Sequence, residues 1–170
     1  FDLIGIGFMS HHWDIYVELS KVIRKTLPNC KIIAGGVHAW HISQSDTLEH
    51  CDYICAAEGE ELYSALVEHL STKPDVSPIS IPGLIEKYQG KIIHNPVKTY
   101  MPMDQVPFPT YGDEKTYSIN AINEDKPILT TGDFMVNGHW GFVHIGRGCV
   151  FRCTFCINAI HKDPTVRLRS

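Results

Sequence analysis

Three cysteines, Cys149, Cys153 and Cys156, stand within eight residues in the segment Gly146-Arg147-Gly148-Cys149-Val150-Phe151-Arg152-Cys153-Thr154-Phe155-Cys156. The thiolate is the metal-binding form of cysteine, and a loop eased by two glycines can turn several of them toward one centre. Three is the informative number. A cubane iron-sulfur cluster normally takes four thiolates, so a three-cysteine loop leaves one iron open to a substrate or cofactor. A structural zinc site instead closes four positions, commonly with paired CxxC motifs, and no second pair exists here. Cys30, Cys51 and Cys55 are scattered singles. The rival assignment is a non-catalytic module in which the cysteines hold zinc or a redox-sensing cluster and the upstream part senses a small ligand.

Other candidates carry simpler explanations. His11-His12 and the pair His38 and His41 have no third ligand at a convincing spacing. Glu58, Glu60 and Glu61 fall where a helix begins, and carboxylates there stabilise the helix dipole. Arg147 and Arg152 flank the cysteine loop, but a surface arginine would look the same. No side chain is assigned as a catalytic residue.

The cysteine loop has to be positioned by what precedes it. Asp2 to Phe8 is almost wholly apolar or Gly, which predicts a strand buried on both faces. Ile15, Leu19, Val22, Ile23 and Leu27 recur at helical spacing before Pro28, predicting an amphipathic helix with those residues inward. Lys31 to Ala34 predicts a second strand, ending in a loop Gly35-Gly36-Val37-His38. A short helix is expected around His41 to His50, a third strand over Asp52 to Ala56, and a helix with Leu62, Leu66, Val67 and Leu70 on its inner face.

This alternation predicts an α/β fold: part of a Rossmann-like, flavodoxin-like doubly wound parallel sheet. Ligands in such sheets sit outside the carboxyl ends of the strands. Ser10, Gly35, Gly36, His38, Glu58 and Gly59 lie on those ends and are the candidate cofactor-binding residues. Further on, Gly83 to Tyr88 and Lys91 to His94 flank a Gln89-Gly90 turn, and a proline-rich ordered bridge follows. The tract Gly112 to Lys126 predicts nothing. Asn137-Gly138 predicts a second hairpin, between Ile128 to Val136 and His139 to Ile145, that feeds the cysteines. The expected organisation is 1–75 for the C-terminal part of a Rossmann-like domain, 76–126 for hairpin and linker, and 127–170 for the cysteine loop with the strand before it, which the resemblance described next implies to be the start of a barrel.

CxxxCxxC with an aromatic residue, Phe155, before the last cysteine resembles the signature of the radical S-adenosylmethionine superfamily. The resemblance implies a four-iron four-sulfur cluster on Cys149, Cys153 and Cys156, after the first strand of a partial (β/α) barrel. S-adenosylmethionine would chelate the open iron, with the Phe155 backbone near its adenine. One electron would then release methionine and a 5′-deoxyadenosyl radical that takes hydrogen from substrate.

Upstream, the order Asp2-Leu3-Ile4-Gly5-Ile6-Gly7 with Ser10, Ala34-Gly35-Gly36-Val37-His38-Ala39, Glu58-Gly59-Glu60-Glu61 and Val106-Pro107-Phe108-Pro109 resembles the cobalamin-binding branch of that superfamily, as does Val166 to Ser170. The branch implies methyl transfer, or a radical rearrangement or ring closure, on a small molecule, with an electron donor such as flavodoxin or ferredoxin. The three loops are either a corrinoid site or plain turns of a Rossmann-like domain without one. The branch's Asp-x-His-x-x-Gly loop, which supplies a lower His ligand to cobalt where it occurs, is not found between Phe1 and Ser170, nor is the Gly-Gly-Glu segment that contacts the amino group of S-adenosylmethionine.

Composition agrees with small-molecule partners. A formal net charge of -4 with no basic stripe points away from nucleic acid. No apolar run reaches the roughly 20 residues of a membrane-spanning helix, and a cytoplasmic, anaerobic setting with reduced cysteines is expected. Both chain ends stop in mid-pattern and are taken as artificial; such a piece alone is expected to be inactive.

Overall fold

A computed structural model describes residues 2–41, 44–73, 76–78, 80–97, 99–109, 143–157 and 165–170, together with the backbone of 117–120 and 128–131. The chain divides into two compact units, Phe1–Met101 with Arg152–Lys162, and Pro102–Phe151 with Asp163–Ser170.

In the first unit, strands β1 (Leu3–Gly7), β2 (Lys31–Gly35) and β3 (Tyr53–Cys55) alternate with helices α1 (Trp13–Thr26), α2 (Val37–His41), α3 (Gln44–Thr47) and α4 (Gly59–Thr72). Strands β4 (Leu84–Tyr88) and β5 (Lys91–His94) complete a sheet of order β1-β2-β3-β4-β5. The pairs β1–β2 and β2–β3 are parallel, whereas β4 runs antiparallel to β3 and β5 to β4. The expected parallel α/β sheet is present, and the hairpin read upstream of the linker is its antiparallel edge. Gln89 and Gly90 both have positive φ, 49° and 76°, the combination of a tight type I′ turn whose twist suits the flanking strands.

Alternation along the strands separates two cores. Ile32, Ala34, Ile54 and Ile85 face Tyr16, Ile23, Ala39 and Leu48 on one side of the sheet. Ile33, Tyr53 and Leu84 face Leu62 and Leu66 of α4 on the other. Helices therefore cover both faces, which is why the central strands β2 and β3 are largely apolar; β1, expected to be buried on both faces, is instead an edge strand whose Gly5 and Gly7 are exposed and whose Leu3, Ile4 and Ile6 are half-buried.

The phase of α1 differs from the expected one. Ile15, Leu19 and Val22 are 65%, 43% and 57% exposed, and the buried residues are Tyr16, Ser20 and Ile23. Tyr16 can be buried because its hydroxyl donates to the Thr47 carbonyl at 2.9 Å, and Ser20 because its hydroxyl donates to the Val17 carbonyl at 2.8 Å. On α4, Leu62 and Leu66 are buried as expected, but Val67 is exposed. Asp52 fastens the sheet's other end, accepting from Arg24 of α1 and from the Ile32 amide at 2.8 Å.

Cys51 and Tyr53 are expected to make this unit alkali-sensitive. Burial pushes the Cys51 thiol up to about 11 and the Tyr53 hydroxyl up to about 12. Both are protonated acids whose folded pKa exceeds the ordinary one. Their contribution is thus complete below the ordinary thiol range and is lost as pH rises through the folded values. Urea midpoints should fall between about pH 9 and 11, and Cys51→Ala should flatten that fall.

In the second unit, β6 (Tyr117–Asn120) pairs antiparallel with β7 (Ile128–Thr131), and β8 (Gly146–Arg147) with β9 (Arg167–Leu168). The tract from which no element was expected thus contains β6. Of the second expected hairpin, the Asn137-Gly138 turn lies outside the described residues and Ile128 opens a strand; Val143 to Ile145 carry no ladder with any described residue, and the described strand before the cysteines begins at Gly146. Gly148, at φ 95°, lies so close to Thr165 that a Cβ would collide with its carbonyl oxygen. The Val106-Pro107-Phe108 segment is gripped by Arg169, which donates to the Val106 carbonyl at 2.6 Å and lies 4.1 Å over the Phe108 ring. Ser170 adds bonds from its amide and hydroxyl to Asp104.

Candidate functional site

The carboxyl ends of β1 and β2 are forced together by glycine. Gly36 has φ 94°, and a Cβ there would collide with the Phe8 carbonyl oxygen and stand 3.1 Å from the Phe8 nitrogen. The Phe8 amide in turn donates to the Gly35 carbonyl at 3.1 Å. Such an approach is open only to a residue without a side chain. It delivers Ser10, at the start of a 3-10 turn (Ser10–His12), to the head of α2, where His38 Nδ1 lies 3.0 Å from Ser10 Oγ.

His38 was expected on the loop after β2, as a candidate cofactor-binding residue. It lies instead on α2 and is only 8% exposed, because α2 begins directly after Gly36 and turns the imidazole inward. Its ring centroid is 5.4 Å from that of Phe8 and 4.9 Å from that of Trp13, and its Nε2 is buried with no hydrogen-bond partner among the described residues. Phe8 and Trp13 were not singled out in the sequence. Their positions two residues before and three after Ser10 were the available signal.

At the carboxyl end of β3, Glu58 is the N-cap residue of α4 in extended backbone and makes no side-chain capping bond, while Glu60 and Glu61 fill the first turn. Gly59 has nothing within 4 Å of where a Cβ would stand. A cleft here is lined by Ala57, Glu58, Glu60, Glu61, Pro82 and Tyr100, among others. Gly35 connects the two regions: a Cβ on it would meet the Cys55 Cβ at 3.8 Å. The six candidate residues thus sit on strand ends of one sheet, with direct bonding between Ser10 and His38.

Cys149, Cys153 and Cys156 are free thiols of intermediate exposure. Cys149 follows Gly148 in the second unit, and in the first the Cys156 amide donates to the Cys153 carbonyl at 3.0 Å. Among the described residues no three His, Cys, Asp or Glu side chains are gathered as a metal ion would need. Three soft thiolate donors remain the donor set an iron-sulfur cluster takes. Phe155 is 92% exposed, an unusual position for a large apolar ring.

No family model matches the sequence. It is 26% identical over 165 residues to an uncharacterized methyltransferase of Pyrococcus horikoshii, a stretch that makes up 94% of this chain and 32% of that protein. Among solved structures, OxsB, a cobalamin-dependent S-adenosylmethionine radical enzyme with aqua-cobalamin and S-adenosylmethionine bound, matches 99% of this chain with TM-score 0.69 and 22% identity. TsrM, a radical S-adenosylmethionine methyltransferase from Kitasatospora setae with cobalamin and a 4Fe-4S cluster bound, matches 99% with TM-score 0.66 and 17% identity. The fold is therefore one shared with a part of OxsB and a part of TsrM. The chain spans about a third of the methyltransferase, 21% of OxsB and 33% of TsrM. Among the described residues no helix is long and apolar enough to cross a membrane.

Proposed function

We propose that this chain is part of a cobalamin-dependent radical S-adenosylmethionine enzyme, cytoplasmic and supplied with electrons by a flavodoxin or ferredoxin, that transfers a methyl group to a small molecule. The domain roles are 1–75 for cobalamin and 127–170 for the cysteine loop, with 76–126 holding the hairpin that extends the first unit's sheet and then the connection. The observation that carries the reading is the CxxxCxxC loop, with three free thiols, set in a fold shared with OxsB and TsrM.

Cys149, Cys153 and Cys156 would each give one thiolate to a four-iron four-sulfur cluster, leaving the fourth iron without a protein ligand. The bound cluster supplies the electron that cleaves S-adenosylmethionine, chemistry that no side chain can perform. Gly148 sets the loop's entry by its positive φ, and the Phe155 backbone would lie near the adenine of S-adenosylmethionine. Ser10, Gly35, Gly36, His38, Glu58 and Gly59 would line the corrinoid, and the buried, unpartnered His38 Nε2 favours this over a sheet with plain turns.

The test is electron paramagnetic resonance of the anaerobically reconstituted, reduced chain. A reduced-cluster signal whose g values move when S-adenosylmethionine is added supports the reading. A cluster signal indifferent to S-adenosylmethionine would favour a redox-sensing module.

A further inference from the structure

The strongest unexplained feature of the first unit is an imidazole with only half of its hydrogen bonding satisfied. His38 Nδ1 is taken by Ser10 Oγ at 3.0 Å, whereas Nε2 is buried and unpartnered. Leaving a buried polar atom unmatched costs about 1–3 kcal/mol, and folded proteins keep few of them. The packing gives no reason for that cost. Between Phe8 and Trp13, a wholly apolar ring would fill the same space without it. The residue also stands at the carboxyl ends of β1 and β2, where an open α/β sheet takes its ligand.

We infer that His38 is a ligand-reading residue: Nε2 hydrogen-bonds a primary carboxamide of the bound small molecule, while Ser10 fixes the ring through Nδ1. A carboxamide is assigned because it carries N–H donors and a carbonyl acceptor on one group. If the Ser10 hydroxyl donates to Nδ1, Nε2 carries the proton and donates to the carbonyl; if Nδ1–H donates to Ser10, Nε2 accepts from the amide. A corrin ring is edged with such carboxamides, so the inference rests on the corrinoid reading and adds to it an atom and a contact. It also occupies Nε2 with a hydrogen bond rather than with cobalt. Nε2 is closed to solvent in the chain as it stands, so the contact requires the aromatic rings packed beside it, Phe8 and Trp13, to shift.

The probe is hydroxocobalamin, titrated by absorbance into the 170-residue chain and into His38→Gln and His38→Asn. A glutamine amide extends to the place of Nε2 and an asparagine amide to that of Nδ1, so the two variants separate ligand reading from the Ser10 contact. The glutamine variant should bind nearly as wild type does, and the asparagine variant should bind about tenfold or more weakly, the loss of one hydrogen bond of roughly 1.4 kcal/mol. Equal binding by wild type and His38→Asn would overturn the inference while leaving the corrinoid reading standing; a wild type that binds none would remove both.

Wild type alone gives an independent readout, unaffected by any folding defect of the variants. With ¹⁵N-labelled histidine, saturation with diamagnetic Co(III) hydroxocobalamin should shift the His38 Nε2 resonance and leave Nδ1 nearly in place. An unmoved Nε2 in the bound state, or an absorption spectrum of histidine-coordinated cobalt, would overturn it.

Discussion

Cys153→Ala is expected to remove nearly all cluster iron from the anaerobically reconstituted chain, taking it from about four irons per chain to well under one. Cys149→Ala and Cys156→Ala should do the same, because a cubane held by three thiolates has no spare ligand, and loss of one leaves two irons open to solvent. Cys55→Ala is the control. That thiol is occupied at 3.4 Å by the Ala57 carbonyl, and burial raises its pKa, which disfavours the thiolate a metal needs. Iron and acid-labile sulfide, measured side by side on the four variants, give the comparison. A Cys55 variant that loses as much iron as Cys153→Ala would mean that the ligands have been misassigned.

The second large effect is expected at Gly36. An alanine there must adopt φ near 94° and push its Cβ into the Phe8 carbonyl. Backbone strain of about 1–3 kcal/mol and a similar cost of overpacking together come to roughly 2–6 kcal/mol, a large share of a domain's usual stability. Thermal melts should show a deep loss for Gly36→Ala. Gly90→Ala, also at positive φ but with open space around it, isolates the strain alone and should cost less; Gly59→Ala, with open space and no positive φ, should be nearly neutral. Hydroxocobalamin binding should fall with Gly36→Ala, because parting Phe8 from Gly36 also parts Ser10 from His38.

The order of strands and helices in the first unit was legible because its apolar runs are bounded by Gly and Pro, which act locally. The face that α1 buries was not. Counting apolar residues favours Ile15, Leu19 and Val22, but the fold buries Tyr16 and Ser20, whose hydroxyls find backbone acceptors on Thr47 and Val17. That depends on a partner 31 residues away for Tyr16, which no local pattern records. The strand Tyr117–Asn120 was missed for a related reason: its polar alternation Tyr-Ser-Ile-Asn is weak by itself, and it is a strand through its ladder with Ile128–Thr131.

Of the site, the three cysteines and the glycine-bounded strand ends were legible, since spacing and missing side chains are properties of sequence. The Ser10–His38 bond was not, because both residues were expected on loops and the inward turn of α2 depends on the close passage of Gly36 past Phe8. The match of Val166 to Ser170 with the stretch after the cysteine loop has a structural counterpart: Arg167–Leu168 pairs with Gly146–Arg147, at the root of that loop.

The central claim is that Cys149, Cys153 and Cys156 hold a site-differentiated cluster. The most direct measurement is metal analysis with ⁵⁷Fe Mössbauer spectroscopy on the wild-type chain reconstituted without oxygen. About four irons and four sulfides per chain, with the delocalised quadrupole doublets of a four-iron cubane, is the result the account predicts. A colourless protein carrying stoichiometric zinc would contradict it.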